Sequence, residues 1–183
     1  YVISISGMSG SGKTTVSNAL KEQLANAVII SFDNYDAVYL DGDINEWSAN
    51  GNDENEWHLE PIVRDIEEIL TKPFDYIIID YPFGRKNKEI GKYIDFAIFI
   101  DTPLDIALAR RIIRDYTSRG EHRYKIEVNL KTIEKELQNY LEISRPTYAR
   151  MAETQISYSD RIIDGTKPVE KIVNTIIESL KSR

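Results

Sequence analysis

The chain has 183 residues, 42% of them hydrophobic and 29% charged, which is typical of one globular domain spanning residues 1–183. Its formal net charge of −7 argues against nucleic acid or an anionic membrane as a partner, because both attract an excess of Lys and Arg. Cysteine is absent, which excludes disulfides, thiolate metal sites and thiol catalysis and agrees with a cytoplasmic location. The composition leaves open whether copies of the chain form a homo-oligomer.

The chain begins with a strand, a loop and a helix. Residues 2–6 form an apolar, β-rich run that predicts a buried strand, and residues 14–26 place apolar side chains on one helical face. Between them, residues 7–14 read Gly-Met-Ser-Gly-Ser-Gly-Lys-Thr and match the pattern G-x-x-x-x-G-K-[ST] in full. Glycines allow such a loop to fold its backbone N–H groups around phosphate oxygens at the start of a helix. The sequence therefore predicts a nucleoside triphosphate site here rather than an ordinary glycine-rich turn.

Two side chains of this loop bring chemistry of their own. Lys13 supplies positive charge to the β- and γ-phosphates, and Thr14 offers its hydroxyl to Mg²⁺. ATP and Mg²⁺ are thus the expected cofactors. The residues expected to bind the nucleotide are Gly7, Ser9, Gly10, Ser11, Gly12, Lys13, Thr14 and Thr15.

Further along the chain, apolar runs alternate with helical periodicity. Four more buried strands are predicted, at residues 27–32, 76–80, 96–101 and 161–165. Helices are predicted at residues 62–70, 104–116, 130–148 and 172–180. The intervening residues 33–57 show no period. Strands that alternate with helices pair in parallel, so we expect an α/β fold, a doubly wound three-layer sandwich with a mostly parallel five-stranded sheet. Ligands of such folds bind at the carboxyl ends of the strands.

Two aspartates close predicted strands at that edge. Asp80 ends its strand, where it either supports Mg²⁺ or caps the turn that leads into Pro82, and we favour the metal role. Asp33 follows the second strand, across the cleft from the phosphate loop. There it either orients and deprotonates an attacking hydroxyl or caps a turn, and the residues alone do not decide between the two.

A local group of arginines contrasts with the acidic composition. Arg111 and Arg114 are three residues apart and share a helical face, and Arg119 precedes a glycine. Positive charge that closes over a transferring phosphoryl group stabilises its transition state and excludes water. With a phosphate loop upstream, we favour a lid at about residues 110–128 over the alternative, a solvated helix face paired with Asp and Glu.

These motifs resemble the uridine kinase branch of the P-loop kinases, in the phosphoribulokinase/uridine kinase family, along nearly the whole chain. Phe32-Asp33-Asn34-Tyr35 is similar to the family's strand end, whose Asp accepts the proton of the substrate hydroxyl. The segment 101–120 is similar to the family's strand and helix that carry the lid arginines. The resemblance implies a P-loop NTPase fold with a helical lid. The residues that it makes catalytic are Lys13, Asp33, Arg111, Arg114 and Arg119.

The acceptor half departs from the family pattern. Only residues 71–75 separate the helix at 62–70 from the third strand, where uridine kinases insert a β-hairpin with nucleoside contacts. Residues 52–55 resemble the family's segment that holds the ribose. The residues expected to bind the acceptor are Asp33, Tyr35, Asp53, Tyr81 and Arg85. Phe83 and His58 are further candidates, and ordinary packing is at least as good an explanation of His58, Trp47 and Trp57.

The sequence thus predicts a phosphotransferase that moves the γ-phosphate of ATP, with Mg²⁺, onto a hydroxyl of a nucleoside or nucleoside-like small molecule. The alternatives are a P-loop kinase for a cofactor precursor or sugar, a nucleotide-driven switch or ATPase, and a noncatalytic nucleotide-binding module. Asn87-Lys88 is followed by Glu89-Ile90, so the guanine motif Asn-Lys-x-Asp is absent there.

Overall fold

A computed structural model describes residues 1–117 and 130–182, and a five-stranded sheet lies at its centre. In spatial order the strands are β2 (Ala27–Ser31), β5 (Tyr76–Asp80), β1 (Val2–Ser6), β6 (Phe96–Asp101) and β7 (Arg161–Asp164). All four pairings within this sheet are parallel. The predicted α/β class and doubly wound sheet are therefore confirmed, with β1 in the central position.

Helices cover both faces of the sheet. Their bounds are α1 (Lys13–Gln23), α3 (Glu60–Leu70), α4 (Lys88–Gly91), α5 (Leu104–Tyr116), α6 (Leu130–Asn139), α7 (Arg145–Ser157) and α8 (Val169–Lys181). Within the described ranges, no helix combines the length and apolar character needed to cross a membrane.

The strand β5 shows how the sheet is buried. Ile77 and Ile79 pack with Ile62 and Ile66 of α3 on one face, whereas Ile78 packs with α1 and α8 on the other. Successive side chains of a strand point to opposite faces, so an uninterrupted apolar run is what a strand covered on both sides requires. Each fully buried Ile contributes roughly 1.5–3 kcal/mol. This burial fixes the strand, and with it the position of Asp80 at its carboxyl end.

Small elements occupy the stretch in which the sequence shows no period. A two-stranded antiparallel sheet pairs β3 (Tyr39–Leu40) with β4 (Trp57–His58), and α2 (Ile44–Ala49) lies between them in the chain. Asp43 starts α2, because its carboxylate accepts hydrogen bonds from the backbone N–H groups of residues 45 and 46. Strands of two residues and a helix of six are too short to display a period.

The helix predicted at 130–148 is interrupted. Residues Tyr140–Ser144 form a π-helical turn between α6 and α7. Pro146 follows it and has no backbone N–H to donate to the carbonyl four residues earlier, which gives a local reason for the widened turn.

Candidate active site

The phosphate loop connects β1 to α1 at the carboxyl end of the central strand. The loop is tight, since the backbone N–H of Ser11 donates to the carbonyl of Met8 at 2.9 Å and Lys13 Nζ donates to the same oxygen at 3.2 Å. Gly12 takes a φ of 101° immediately before α1, a left-handed conformation that favours glycine. The loop therefore ends at a helix N-terminus, which favours a bound anion.

Contacts with the β6–α5 region hold the loop in place. Gly10 has a φ of 85°, and a Cβ built on it would lie 2.1 Å from the carbonyl oxygen of Ala107 in α5. Thr102 Oγ1 and Arg110 Nη1 donate to the carbonyl of Ser11 at 3.1 and 3.4 Å. A loop fixed in this way is preorganised for its ligand, which is what electrostatic stabilisation of a transition state requires.

The loop lines a cleft of about 1060 Å³. The expected nucleotide-binding residues that line this cleft are Gly7, Ser9, Gly10, Gly12, Lys13, Thr14 and Thr15. Ser11 was expected among them but is only 2% exposed and contacts the neighbouring wall through its carbonyl. We call this part the phosphate end.

Both predicted aspartates line the same cleft. The register of β2 with β5 places Ser31 opposite Asp80, and Asp33 follows two residues later in a 3₁₀ turn. Asp80 is 3% exposed, whereas Asp33 is exposed. The arrangement brings one buried and one accessible carboxylate to the strand ends beside the phosphate loop.

The donors at the phosphate end fit Mg²⁺. The Thr14 hydroxyl and the Asp80 carboxylate are hard oxygen ligands lining one cleft. The described residues contain no group of three or more acidic or histidine side chains arranged as a metal cage. A Mg²⁺ ion here would complete its shell with phosphate oxygens and water, as Mg²⁺ commonly does at nucleotide sites.

The arginines of α5 are arranged differently from the prediction. Arg114 lines the cleft as expected, but Arg111 forms an ion pair with Glu136 of α6 and is not among the lining residues. Arg110, which the prediction passed over, lines the cleft and also donates from Nη1 to the carbonyl of Gly165 at 3.1 Å. Arg119 and most of the predicted lid lie outside the described residues.

Four aromatic residues also line the cleft and are here called the aromatic wall (Phe32, Trp47, Trp57 and Phe83). The Trp57 ring centroid lies 5.5–5.9 Å from the other three. Trp47 is 7% and Phe83 2% exposed, so the wall belongs to the core as well as to the cleft. Both tryptophans pack with the core and also line the cleft, so they have both of the roles that the sequence left open.

Helical side chains form another part of the cleft lining. The positions Asn139, Ile143, Thr147 and Met151, each four residues apart, line the cleft. The hydroxyls of Ser48 and Thr147 are hydrogen-bonded to each other, and Arg150 Nη2 donates to the carbonyl of Ser48 at 2.5 Å. These contacts tie α2 to α7.

A buried ion pair anchors the segment that carries the aromatic wall. The Glu54 side chain is 0% exposed and lies 2.7 Å from Lys86 Nζ. Asn87 Nδ2 also donates to the Glu54 carbonyl at 2.8 Å, and Trp47 Nε1 donates to the Asp53 carbonyl at 2.8 Å. The wall is thereby joined to the turn that follows β5.

Two expected acceptor contacts, Tyr35 and Asp53, have other partners and are not among the lining residues. The Tyr35 hydroxyl donates to Asp65 Oδ2 at 2.5 Å, and burial together with the Asp65 carboxylate raises the pKa of Tyr35. Asp53 caps a 3₁₀ turn by accepting from Asn55, which lowers the pKa of its carboxyl. Both side chains are used in local structure.

The remaining two, Arg85 and Tyr81, are also structural. Arg85 Nη2 donates to the carbonyl of Asp95 at 2.7 Å and Nη1 pairs with Asp160 at 2.6 Å, so it lies away from the cleft lining. Tyr81 borders the cleft but is 0% exposed, and its hydroxyl donates to the Gly84 carbonyl. Burial raises the pKa of Tyr81 well above its usual value. Asp160 comes from a distant segment, so the sequence alone does not identify it as the partner of Arg85.

His58 lies outside the cleft lining, between two carboxylates. Its Nε2 is 2.9 Å from Asp41 Oδ2, its Nδ1 is 3.5 Å from Glu60 Oε1, and its ring stacks on Tyr39 at 4.4 Å. The hydrogen bond to Asp41, with the smaller effect of Glu60, raises the pKa of His58 above 6.5. The stabilisation that follows is fully present below pH ~6.5 and is lost as the pH rises through the folded-state pKa.

We expect a ¹H–¹⁵N NMR titration to give His58 a pKa above its usual ~6.5. Asp41→Asn should bring that pKa back down, because the closest carboxylate charge is removed, and Glu60→Gln should have a smaller effect. An unchanged His58 pKa in Asp41→Asn would show that the pair does not persist in solution.

The fold and the site together define a P-loop protein. A glycine-rich phosphate loop joins the central parallel strand β1 to a helix, and Asp80 ends β5, the strand that pairs with β1. Two solved structures share the fold at low identity. Deoxyadenosine kinase from M. mycoides aligns with a TM-score of 0.53 and 14% identity, covering 100% of this chain and 99% of that one. Shikimate kinase from Bacteroides thetaiotaomicron aligns with a TM-score of 0.53 and 15% identity, covering 98% of each chain.

The chain belongs to the phosphoribulokinase/uridine kinase family, whose model matches residues 53–171. It is 30% identical to a uridine kinase of Borrelia duttonii (strain Ly), covering 99% of this chain and 94% of the relative. It is 27% identical to a uridine kinase of Staphylococcus haemolyticus (strain JCSC1435), covering 100% of this chain and 97% of the relative. Family membership makes the chain an ATP-dependent small-molecule kinase with a hydroxyl group as acceptor.

Proposed function

We propose that this kinase transfers the γ-phosphate of ATP to a hydroxyl of an uncharged, nucleoside-like acceptor in the cytoplasm. One observation carries the proposal: the phosphate loop, the arginines of α5, the aromatic wall and Asp33 all line the same cleft. The uridine kinase relatives support a nucleoside as the acceptor.

At the phosphate end, the chain supplies charge and fixed donors. Lys13 lies in the loop, Arg110 is held against it, and Arg114 is one helical turn further along α5. These groups neutralise the negative charge of the phosphates. Such catalysis is mainly positioning and electrostatics, so a rigid loop with nearby cations is the needed arrangement.

Thr14 and Asp80 would hold Mg²⁺ at this end. The ion, when bound, offsets the charge that develops on the transferring phosphoryl group. Asp80 suits this role because its carboxylate is buried at a strand end and kept in one place.

The aromatic wall favours a neutral, ring-bearing acceptor. Besides Lys13 of the phosphate loop, the charged residues among the described cleft lining are Asp33, Asp80, Arg110 and Arg114, and the polar remainder includes amides and hydroxyls such as Asn45, Asn139 and Ser144. A phosphate or carboxylate packed against the aromatic wall would lose hydration without gaining an ion pair from those rings, which is costly. Flat rings pack favourably against aromatic side chains. The aromatic wall therefore suits a nucleoside better than a sugar phosphate or a carboxylic acid.

Asp33 is the proposed base that orients the acceptor hydroxyl and takes its proton. Asp33→Asn should lower kcat roughly 100-fold or more, because the amide keeps the shape but cannot accept a proton. Steady-state ADP release at saturating acceptor measures the effect. Asp36→Asn, an exposed neighbour outside the cleft lining, is the matched control and should retain activity. Equal activities of Asp33→Asn and the native protein would remove Asp33 from this role.

The decisive experiment measures ADP release with Mg·ATP and a panel of nucleosides, sugars, sugar phosphates and carboxylic acids. The proposal expects ADP release to depend on a nucleoside, with a phosphorylated nucleoside identified by mass spectrometry. Turnover confined to sugar phosphates or acids would overturn the acceptor assignment. Hydrolysis that no acceptor stimulates would overturn the kinase assignment itself.

A further inference from the structure

The helix α5 buries a carboxylate where an apolar side chain would be usual. Ala107 and Asp115 are its buried residues, and Asp115 is 6% exposed, whereas Ile113 on the same helix is 49% exposed. Aspartate is almost never buried unless it is paired, because its charge loses hydration. The buried carboxylate of Asp115 therefore requires a partner for its charge.

The partner is the preceding residue. Arg114 Nε donates to Asp115 Oδ1 at 2.6 Å and Arg114 Nη2 donates to Oδ2 at 3.0 Å, a two-point contact between guanidinium and carboxylate. Adjacent residues on a helix do not normally face each other, so the contact requires the Arg114 side chain to bend back along the helix end. This geometry fixes the plane of the guanidinium as well as its position.

The contact with Asp115 involves only part of the guanidinium. Arginine has five N–H donors, and the Asp115 carboxylate takes two of them. Arg114 lines the cleft and its side chain is 42% exposed, whereas the Asp115 side chain is 8% exposed. The carboxylate is thus the buried support, and the guanidinium is the group that borders the cleft.

Arg111 provides a comparison on the same helix. Its guanidinium also pairs with a carboxylate, but that carboxylate is Glu136 of α6, and Arg111 is absent from the lining. The Arg111–Glu136 pair joins α5 to α6, whereas the Arg114–Asp115 pair lies within α5 near its end. The choice of carboxylate partner distinguishes a packing arginine from a cleft arginine.

We propose that Asp115 is a positioning residue, which holds the Arg114 guanidinium at the cleft so that it meets the transferring phosphoryl group. The inference rests on the proposed kinase function. Asp115 does not contact the substrates in this proposal, and it acts through Arg114 alone. A misplaced cation loses catalytic effect steeply with small displacements, so loss of the support should lower kcat more than substrate binding.

The test uses Asp115→Asn, which keeps the side-chain shape and removes its charge. We expect kcat to fall by roughly 10-fold or more, with a smaller change in the KM of ATP. In an Arg114→Ala background, the same substitution should cause no further loss of kcat, because the group it positions is gone. An equal loss in both backgrounds would overturn the proposal. Asp105→Asn, an exposed carboxylate in the first turn of α5, is the matched control and should keep native kcat.

A second readout does not depend on turnover. In ¹⁵N-labelled protein, the Arg114 Nε–H should exchange slowly with solvent, and Asp115→Asn should accelerate that exchange. An unchanged exchange rate would overturn the proposal.

If Asp115→Asn fails to fold, Arg114→Lys replaces it, because lysine keeps the charge but cannot make the two-point contact. Arg114→Lys should then lose nearly as much kcat as Arg114→Ala, and native kcat would overturn the proposal. A native protein without acceptor-dependent turnover contradicts the proposed function, and the exchange measurement then still decides whether Asp115 controls Arg114.

Discussion

Replacing Lys13 by alanine should lower the rate of phosphoryl transfer roughly 100-fold or more, because preorganised charge in the phosphate loop is lost. The Lys13 Nζ donates to the carbonyl of Met8 in the free loop, so the ammonium already lies within the loop before the nucleotide binds. The measurement is steady-state ADP release with saturating Mg·ATP and acceptor, together with calorimetric titration of Mg·ATP.

Lys21→Ala provides the matched control, since Lys21 lies on the same helix and is exposed. It should leave activity near that of the native protein, and circular dichroism should show both variants folded. A Lys13→Ala protein that is folded and fully active would contradict the assignment of this loop to the phosphates.

Replacing Lys86 by methionine should destabilise the fold by about 3–5 kcal/mol, because the Glu54 carboxylate would remain buried without its cation. Glu54 is 0% exposed, and the Lys86 side chain is only 21% exposed, so solvent screens the pair poorly. Urea unfolding measures the change. The double variant Glu54→Gln/Lys86→Met should recover part of the loss, since the charge that causes it is removed.

Lys88→Met is the control for this pair, being exposed and two residues away. Its expected effect on the free energy of unfolding is within about 0.5 kcal/mol. If both lysine substitutions cost the same, the Lys86–Glu54 pair is not what anchors the aromatic wall.

The sequence was sufficient for the sheet because burial on both faces leaves a simple pattern. The runs at 2–6, 76–80 and 96–101 are strands with the predicted bounds, and the helix at 104–116 also begins and ends where predicted. The phosphate loop was predictable for another reason: its glycines and its lysine are local requirements of the turn. Both signals are contained in consecutive residues.

The arginines show where periodicity alone is ambiguous. Arg111 and Arg114 are three apart and Arg110 and Arg114 are four apart, so either pair can share a helical face. The choice depends on which face of α5 meets the cleft, and Arg111 pairs with Glu136 of α6 and is not among the lining residues. Which face meets the cleft is a property of the tertiary structure, and the spacing of the arginines in the sequence does not reveal it.

The acceptor end was the least predictable part. Trp47 and Trp57 lie in a stretch of very short elements, and distant residues contact their neighbours in that stretch: Lys86 pairs with Glu54, and Arg150 donates to the Ser48 carbonyl. Conversely, Arg85 had the chemistry expected of a binding residue, but Asp160, seventy-five positions away, pairs with it. Long-range partners, rather than residue type, decide which side chains are available to a ligand.

The π-helical turn before α7 has a geometric consequence for the cleft. In a regular α-helix, residues four apart drift by about 40° around the axis, so three such steps would carry the last one about 120° from the first. The wider turn at Tyr140–Ser144 winds more slowly and counteracts that drift, so Asn139 and Met151 can border one cavity although twelve residues separate them. The π-helical turn therefore lets residues 139–151 present one continuous face to the cleft. In a regular α-helix of the same sequence, the residues at one end of this stretch would point away from the cleft.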